Sequence, residues 1–363
     1  MITYTNCNIY TGVELLTGKA ILVKDHLIMD IINVEEVTGP AEDLGGMNIA
    51  PAFIDLQIYG ANGRLFSANP SAEAIADTYD YCMSGGCSQF MITMATNSIE
   101  IFLEGMEAVR SYWRQGGKGL LGLHLEGPYM NPAKKGAHIE RYIKRPTEAE
   151  VSMLLEKGKD VFKMITLAPE MCDDHIIHML IDNGIIVSAG HSNATYAEAR
   201  KGFAAGIPAA THLFNAMSPF QSREPGLVGA VYNNPNVKAS VVADGVHVDF
   251  VSLKVSKQVM GNRLFFITDA VTDCSEGEYQ HIFKGDRYTL PDGTLSGSAL
   301  TMIQSVKNVV RHASIPVDEA LRMASTYAAT LLKTPTKYGR IEPGFAAEFV
   351  VFDDSLSIKK VLV

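Results

Sequence analysis

The sequence lacks the features that mark several classes of protein. It has five cysteines in 363 residues, an odd number without a C-x-x-C pair, which argues against a disulfide scaffold and for a reducing cytoplasm. No stretch approaches the ~20 consecutive apolar residues of a membrane helix, and no basic segment followed by an apolar one opens the chain. The net charge of -9 argues against general binding to nucleic acid or to an anionic membrane. We therefore expect a soluble, cytoplasmic protein that binds neither.

Both ends of the chain predict short β-strands. Residues 1–50 contain runs of β-branched side chains without a helical period, and the tail repeats this pattern at 347–353 and 357–363. A chain of this length, with 47% hydrophobic residues, suffices for one large domain with a small one beside it. We expect residues 1–50 plus 335–363 to form one small β-sandwich domain.

Between the termini, short apolar runs alternate with helical stretches, as in repeated βαβ units. Thr147 and Thr195 each stand three residues before a glutamate, which is the spacing of a helix capping box. The fold class that this alternation predicts is α/β, a (β/α)8 TIM barrel over residues 51–334. The eight predicted strands lie near residues 53–57, 89–93, 120–125, 162–167, 185–189, 209–212, 237–242 and 264–268.

The alternation stops after the eighth predicted strand. Residues 271–297 predict a hairpin insertion in the barrel, with Asp292 and Gly293 as its turn. Two helices are expected after it, at 300–312 and 317–332.

Four polar side chains stand at the ends of predicted strands, namely Glu126, His191, His212 and Asp269. Barrel enzymes keep their active sites at this face, and one carboxylate with two imidazoles suits zinc or iron. A single histidine at a strand end is often only a hydrogen-bonded structural residue, and Asp269 could instead cap the next segment. The coincidence of the three metal-binding types favours a metal-dependent hydrolase, with Asp269 as the general base that activates water.

Other polar residues surround this predicted centre. Gln57 ends the first strand. Because an amide side chain is a poor ligand for zinc or iron, its presence argues for one metal ion rather than two. His138 is either a group that polarises a substrate carbonyl or a solvated loop residue. Asn215, Arg223 and His247 could bind an anion such as phosphate, although Arg223 by itself is also typical of a surface ion pair.

An ordered set of segments along essentially the whole chain resembles the N-acetylglucosamine-6-phosphate deacetylases of the amidohydrolase superfamily. Single motifs are weak evidence, but their order is specific. The matching segments include Pro51-Ala-Phe-Ile-Asp-Leu-Gln, Gly122-Leu-His-Leu-Glu-Gly-Pro-Tyr, Lys135-Gly-Ala-His, Val187-Ser-Ala-Gly-His-Ser-Asn, Thr211-His-Leu-Phe-Asn-Ala-Met, Ala243-Asp-Gly-Val-His and Thr294-Leu-Ser-Gly-Ser-Ala-Leu-Thr-Met.

The resemblance implies hydrolysis of the acetamide of N-acetylglucosamine 6-phosphate by one divalent metal, with zinc expected and iron, cobalt or manganese as alternatives. Glu126, His191 and His212 would bind the metal, Gln57 would lie close to it, and Asp269 would be the acid and base. The residues that would bind the substrate are Ala137, His138, Asn215, Ala216, Arg223, His247 and Met302. A homodimer is also implied, in which Arg223 and His247 complete the partner's phosphate site.

Two other functions stay open at this point. One is deacetylation of N-acetylgalactosamine 6-phosphate, because the motifs specify the acetyl group and phosphate better than one hydroxyl. The other is a non-catalytic barrel that binds a sugar phosphate. Ala52, the loop from Tyr59 to Asn62, Glu348 and the short insertion depart from the family pattern.

Overall fold

A computed structural model of the protein describes residues 1–275, 277–332 and 337–363. The first part of the chain forms five strands of the small domain, which end where the barrel begins. They are β1 (Ile2–Tyr10), β2 (Leu15–Leu16), β3 (Lys19–Lys24), β4 (Leu27–Asn33) and β5 (Glu42–Pro51).

A closed parallel barrel follows and confirms the predicted α/β fold. Its eight strands pair in sequence order, and the first and last meet where the backbone N–H of Tyr59 donates to the Ala270 carbonyl over 2.9 Å. A short hairpin, β7 (Gly60–Ala61) with β8 (Arg64–Leu65), follows the first barrel strand. The barrel strands are β6 (Phe53–Ile58), β9 (Cys87–Ala95), β10 (Leu120–Glu126), β11 (Phe162–Leu167), β12 (Ile186–Ala189), β13 (Ala209–Ala210), β14 (Lys238–Val241) and β15 (Leu264–Phe266).

Ten α-helices are found in the described ranges, and none of them is long and apolar enough to cross a membrane. Thr195 forms a complete capping box with Glu198, whereas Thr147 caps its helix without the returning bond from Glu150. The helices are α1 (Ala72–Ser84), α2 (Ile99–Arg114), α3 (Glu148–Gly158), α4 (Asp174–Asp182), α5 (Tyr196–Ala204), α6 (Gly226–Asn233), α7 (Phe250–Met260), α8 (Met302–His312), α9 (Val317–Ala324) and α10 (Thr326–Ala329). The last predicted helix is therefore two helices.

The predicted insertion is a small antiparallel sheet, which we call the lid. It contains β16 (Ile282–Phe283), β17 (Arg287–Thr289) and β18 (Leu295–Ser298), so it has one strand more than the predicted hairpin. The turn at Asp292 and Gly293 joins β17 to β18, as expected. A parallel bridge between Ala270 and Ser298 attaches the lid to the chain leaving β15. The lid therefore starts at the end of the barrel where strand-end side chains gather.

The small β domain combines both ends of the chain, as predicted. Two C-terminal strands, β19 (Phe349–Phe352) and β20 (Ile358–Leu362), join one continuous sheet in the order β20-β19-β5-β1-β3-β4, with β2 beside β1. Its core includes Ile9, Ile49 and Phe349, all fully buried. The predicted boundary between 334 and 335 lies outside the described residues, so the domain limits stay a prediction.

Candidate metal centre and active site

The strand-end residues converge in space because parallel strands of a closed barrel end at one face. Glu126 is the last residue of β10, and His191, His212 and Asp269 follow β12, β13 and β15. The last three have left-handed backbones, with φ of 47°, 35° and 54°. Such conformations are unfavourable for residues with a side chain and are concentrated at functional sites. The barrel thus turns these side chains inward at an energetic cost.

Glu126, His191 and His212 form a buried group whose nearest ligand atoms all lie within 4.8 Å of one another. The carboxylate atom Oε1 of Glu126 lies 3.0 Å from Nε2 of His212 and 3.3 Å from Nε2 of His191. The two imidazole Nε2 atoms are 3.1 Å apart. Three ligand atoms of the types that zinc and iron prefer therefore face a common point.

The protonation of His191 shows that this group fits a cation. Its Nδ1 lies 2.8 Å from the carbonyl oxygen of Lys134, which can only accept, so Nδ1 carries the proton. In the neutral ring Nε2 is then a lone pair that faces the Glu126 carboxylate and the other imidazole. Lone pairs brought together without enough protons repel each other unless a cation lies between them. The residues present therefore suit a divalent metal.

The second oxygen of Glu126 has different neighbours. Its Oε2 accepts from the hydroxyl of Tyr59 and lies 3.1 Å from Nε2 of His138. The backbone N–H of Thr96 donates to Nδ1 of His138 over 3.1 Å, which places the ring proton of His138 on Nε2. Burial opposes ionisation of Glu126, but the facing His191 and His138 hold its pKa well below the usual range. Glu126 is therefore held as a carboxylate with one oxygen left for the metal.

Asp269 is connected to the metal-ligand group through Gln57. The amide Nε2 of Gln57 is 2.9 Å from Oδ1 of Asp269 and 3.0 Å from Oε1 of Glu126, so its two protons can reach both carboxylates. Burial raises the pKa of Asp269, and the nearby His212 and His247 partly offset this effect. A buried carboxylate with a raised pKa is a better proton acceptor than an exposed one.

A cavity of about 250 Å³ opens above these residues. Most predicted substrate-binding residues line it, namely Ala137, His138, Asn215, Ala216 and His247. Its walls also include residues that the sequence analysis did not select: Tyr59 from the barrel and Tyr279, His281, Thr294 and Ser296 from the lid. Thr294 and Ser296 lie in a segment that matches the family, whereas Tyr279 and His281 were missed because no local motif says that an insertion folds back over the barrel.

Two predicted substrate-binding residues are not among the described residues that line the cavity. Met302 begins α8 and is 1% exposed in the hydrophobic core, where it borders a separate small cavity with Asp55 and Tyr81. Arg223 is exposed on the loop before α6, and no ion pair within the described ranges holds it. The motif containing Met302 is thus used for packing in this chain, and Arg223 does not reach the cavity of its own chain.

His247 is placed differently from the expectation that it reaches a partner's site. Its Nδ1 donates to Oδ2 of Asp244 over 2.6 Å, and its Nε2 lies 3.7 Å from Oδ2 of Asp269. The side chain is 6% exposed and lines the cavity of its own chain. The bond to Asp244 holds the ring beside Asp269 rather than at the surface.

Comparisons with known proteins agree with this architecture. Residues 48–363 match the model of the amidohydrolase family, and residues 1–49 match the NagA composite domain. The N-acetylglucosamine-6-phosphate deacetylase of Haemophilus influenzae is 34% identical over 97% of this chain and 95% of its own length. An N-acetylgalactosamine-6-phosphate deacetylase of a Shewanella species is 31% identical over 87% of this chain and 82% of its own.

Solved structures give the same result over the whole chain. The N-acetylglucosamine-6-phosphate deacetylase of Pasteurella multocida has a TM-score of 0.95 and 35% identity, covering 100% of this chain and 98% of that one. A mutant of the Mycobacterium smegmatis deacetylase, in complex with N-acetyl-D-glucosamine-6-phosphate, has a TM-score of 0.90 and 27% identity, covering 99% and 97%. The chain therefore belongs to the amidohydrolase family, and within it to the N-acetylglucosamine-6-phosphate deacetylases.

Proposed function

We propose that this enzyme hydrolyses the acetamide of N-acetylglucosamine 6-phosphate to glucosamine 6-phosphate and acetate. The observation that carries the proposal is the arrangement of one cavity, with a metal-type ligand group and a buried carboxylate at its base and a second polar wall beside them. The acetamide would meet the base of the cavity and the phosphate the second wall. The full-length similarity to deacetylases of this substrate supports the same assignment.

Glu126, His191 and His212 would hold one divalent metal, for which we propose zinc because a carboxylate and two imidazoles are common zinc ligands. When bound, such a metal polarises a carbonyl group and lowers the pKa of water from ~15.7 to about 7. Gln57 occupies the space beside this centre and is a poor ligand type, which supports a single metal ion.

Asp269 would act as the acid and base. Its Oδ1 is held by Gln57, so the carboxylate has a fixed direction toward the cavity. It takes a proton from the attacking water and returns it to the nitrogen of the departing amine. The raised pKa from burial helps both transfers, since the carboxylate must accept and then release a proton.

His138 would stabilise the oxyanion that forms on the acetyl group. Because Thr96 donates to Nδ1, the ring carries its N–H on Nε2, which faces Oε2 of Glu126 at the cavity wall, and the oxyanion would compete with this carboxylate for the proton. A donor fixed before the reaction stabilises negative charge as it develops.

Asn215, Ala216 and His247 would bind the phosphate. Ala216 has a left-handed backbone with φ of 49°, and within the described ranges its backbone N–H donates to no other group. Backbone N–H groups in such turns are typical anion donors. His247 lines the same cavity and adds a ring nitrogen that lies 3.7 Å from Oδ2 of Asp269.

We further propose a homodimer in the cytoplasm, in which Arg223 reaches the partner's phosphate site. An exposed apolar surface lies next to the loop of Arg223 and supports an interface there. We call it the α6–α7 surface, and it includes Phe220, Val251, Val255 and Val259, which are 60%, 70%, 48% and 49% exposed. In the described part of the chain, Cys7, Cys82, Cys87 and Cys172 carry no disulfide, which suits a reducing compartment.

The test is acetate release from N-acetylglucosamine 6-phosphate, N-acetylgalactosamine 6-phosphate and unphosphorylated N-acetylglucosamine. Each is measured before chelation, after chelation and after zinc is added back. We expect turnover that requires both the phosphate and the metal and that prefers the gluco substrate. Absence of turnover with every added divalent metal, or a preference for the galacto substrate, would contradict the proposal.

A further inference from the structure

His281 is a buried polar side chain in the cavity wall to which the mechanism above gives no role. It stands directly before β16 in the lid, and it is 5% exposed. Its backbone N–H and carbonyl both pair with Cys274, over 2.9 and 3.2 Å. The residue is therefore fixed within the lid rather than carried on a free loop.

The ring of His281 is held from two sides. Its Nδ1 lies 2.8 Å from the hydroxyl oxygen of Ser296 on β18. The Tyr279 ring stacks on it with 6.3 Å between centroids and 7° between planes, and the Tyr279 hydroxyl donates to the carbonyl of Thr96. The lid and the barrel loop that orients His138 thus fix the direction of this imidazole.

The other ring nitrogen, Nε2, has no hydrogen-bond partner within the described ranges, although the ring lines the cavity. Burial, with a smaller contribution from the nearby His138, lowers the pKa of His281 to about 4, so the ring is neutral at neutral pH. Ser296 can donate to Nδ1 or accept from it, so Nε2 is a donor in one tautomer and an acceptor in the other. Either tautomer leaves one hydrogen-bonding position for a ligand.

We propose that His281 binds a ring hydroxyl of the sugar-phosphate substrate through Nε2, an assignment that rests on the proposed function. The acetamide is assigned to the base of the cavity and the phosphate to the wall with Asn215 and Ala216. The sugar ring must then lie between them, and the lid is the remaining polar wall. A hydroxyl both donates and accepts, so it matches Nε2 in either tautomer, and a buried hydroxyl without a partner binds poorly.

The test combines His281→Phe, which keeps a flat ring without nitrogen, with substrates that lack one hydroxyl. Steady-state kinetics are measured with N-acetylglucosamine 6-phosphate and its 3-deoxy and 4-deoxy analogues. With the parent sugar we expect KM to rise about tenfold and kcat to stay within about twofold, since a contact to a non-reacting hydroxyl affects binding. With one deoxy analogue, the variant and the wild type should have the same KM.

Two further variants separate binding from a structural role. Gln280→Ala changes the exposed neighbour of His281 and should leave all three KM values unchanged. If His281→Phe does not fold, the same comparison is made with His281→Leu, which also removes both ring nitrogens. Equal losses with the parent and both analogues would assign His281 to lid structure alone and overturn the inference, as would an unchanged KM. Absence of wild-type turnover would overturn the proposed function first.

Discussion

At the scale of single residues, the two carboxylate oxygens of Glu126 have different neighbours. Oε1 faces the two imidazoles, and Oε2 accepts from Tyr59 and His138. The sequence analysis noted Tyr59 only as part of a loop that departs from the family pattern, and in the structure its hydroxyl fixes the direction of the Glu126 carboxylate. Because these side chains hydrogen-bond to one another, a single substitution among them should affect metal binding and activity more than the loss of one hydrogen bond would.

Replacing Asp269 by asparagine should abolish turnover while keeping the metal and the substrate. Asparagine has the same shape and can still accept from Gln57, but it cannot take a proton, and general acid and base catalysis contributes ~10²–10⁴-fold in rate. The measurement is kcat together with metal content and substrate affinity, with Asp182→Asn on the exposed end of α4 as control. An active Asp269→Asn enzyme would remove the acid and base assignment.

The buried carboxyl of Asp55 should make stability depend on pH. Backbone N–H groups of Gln57 and Thr268 donate to it over 3.1 and 3.2 Å, and burial raises its pKa to about 7. When the pKa of an acid is higher in the folded state than in the unfolded state, the free energy of unfolding falls as the pH rises from the unfolded-state pKa to the folded-state pKa. For Asp55 the free energy of unfolding should fall by up to about 4 kcal/mol between pH ~4 and ~7.

Asp55→Asn removes this ionisation and keeps a similar shape. We expect its unfolding free energy, measured in urea, to exceed that of the wild type by more at pH 8 than at pH 5. A difference between the two proteins that does not change with pH would show that ionisation of Asp55 contributes nothing.

At the scale of elements, the backbone conformation directly after β10 requires a glycine. Gly127 has φ of 92°, and a Cβ there would lie 2.0 Å from the hydroxyl of Thr96. That hydroxyl donates to the carbonyl of Glu126 over 2.9 Å, and the backbone of Thr96 orients His138. The close approach of two strand ends therefore couples a backbone position to both the metal ligand and the oxyanion donor.

Gly127→Ala should lower both stability and activity, because Thr96 has to move. Gly116→Ala is a matched control, with φ of 80° and nothing within 4 Å of its Cβ. We expect the control to lose about 1 kcal/mol from backbone strain alone and to keep its kcat/KM. Gly127→Ala should lose more stability and at least about tenfold in kcat/KM, measured on metal-loaded protein. Equal behaviour of the two variants would contradict the coupling.

At the scale of the whole molecule, the proposed dimer links an apolar surface to substrate affinity. Val255→Glu places a charge in the centre of the α6–α7 surface and should convert the dimer to a monomer, since charged residues are unfavourable in an interface core. The monomer would lack the partner's Arg223, so its KM for the phosphorylated substrate should rise about tenfold or more.

Mass from light scattering and KM are measured for Val255→Glu, for Arg223→Ala and for Val13→Glu in the small domain. Val13 is 63% exposed, so its change should alter neither quantity. Arg223→Ala should remain a dimer with a raised KM. A monomeric wild type with full affinity would remove the proposed role of Arg223.

The sequence by itself determined the barrel, the domain of both termini and the strand-end residues Glu126, His191, His212 and Asp269. Alternating apolar and helical stretches reveal parallel strands, and the residue after a buried strand must lie at the barrel face, so spacing alone brings these residues together. The capping box at Thr195 is local in the same sense and forms as predicted.

Only the tertiary structure decided which side chains meet beyond this frame. Glu150 has the spacing of a capping box, yet it accepts from the hydroxyl of Tyr129 instead. Met302 is used in the core, His247 is held by Asp244, and the lid brings His281 over the barrel. Packing and burial, rather than periodicity, determine which partner each of these residues contacts. The order of residues along the chain does not show which of several possible partners will be the nearest in the folded protein.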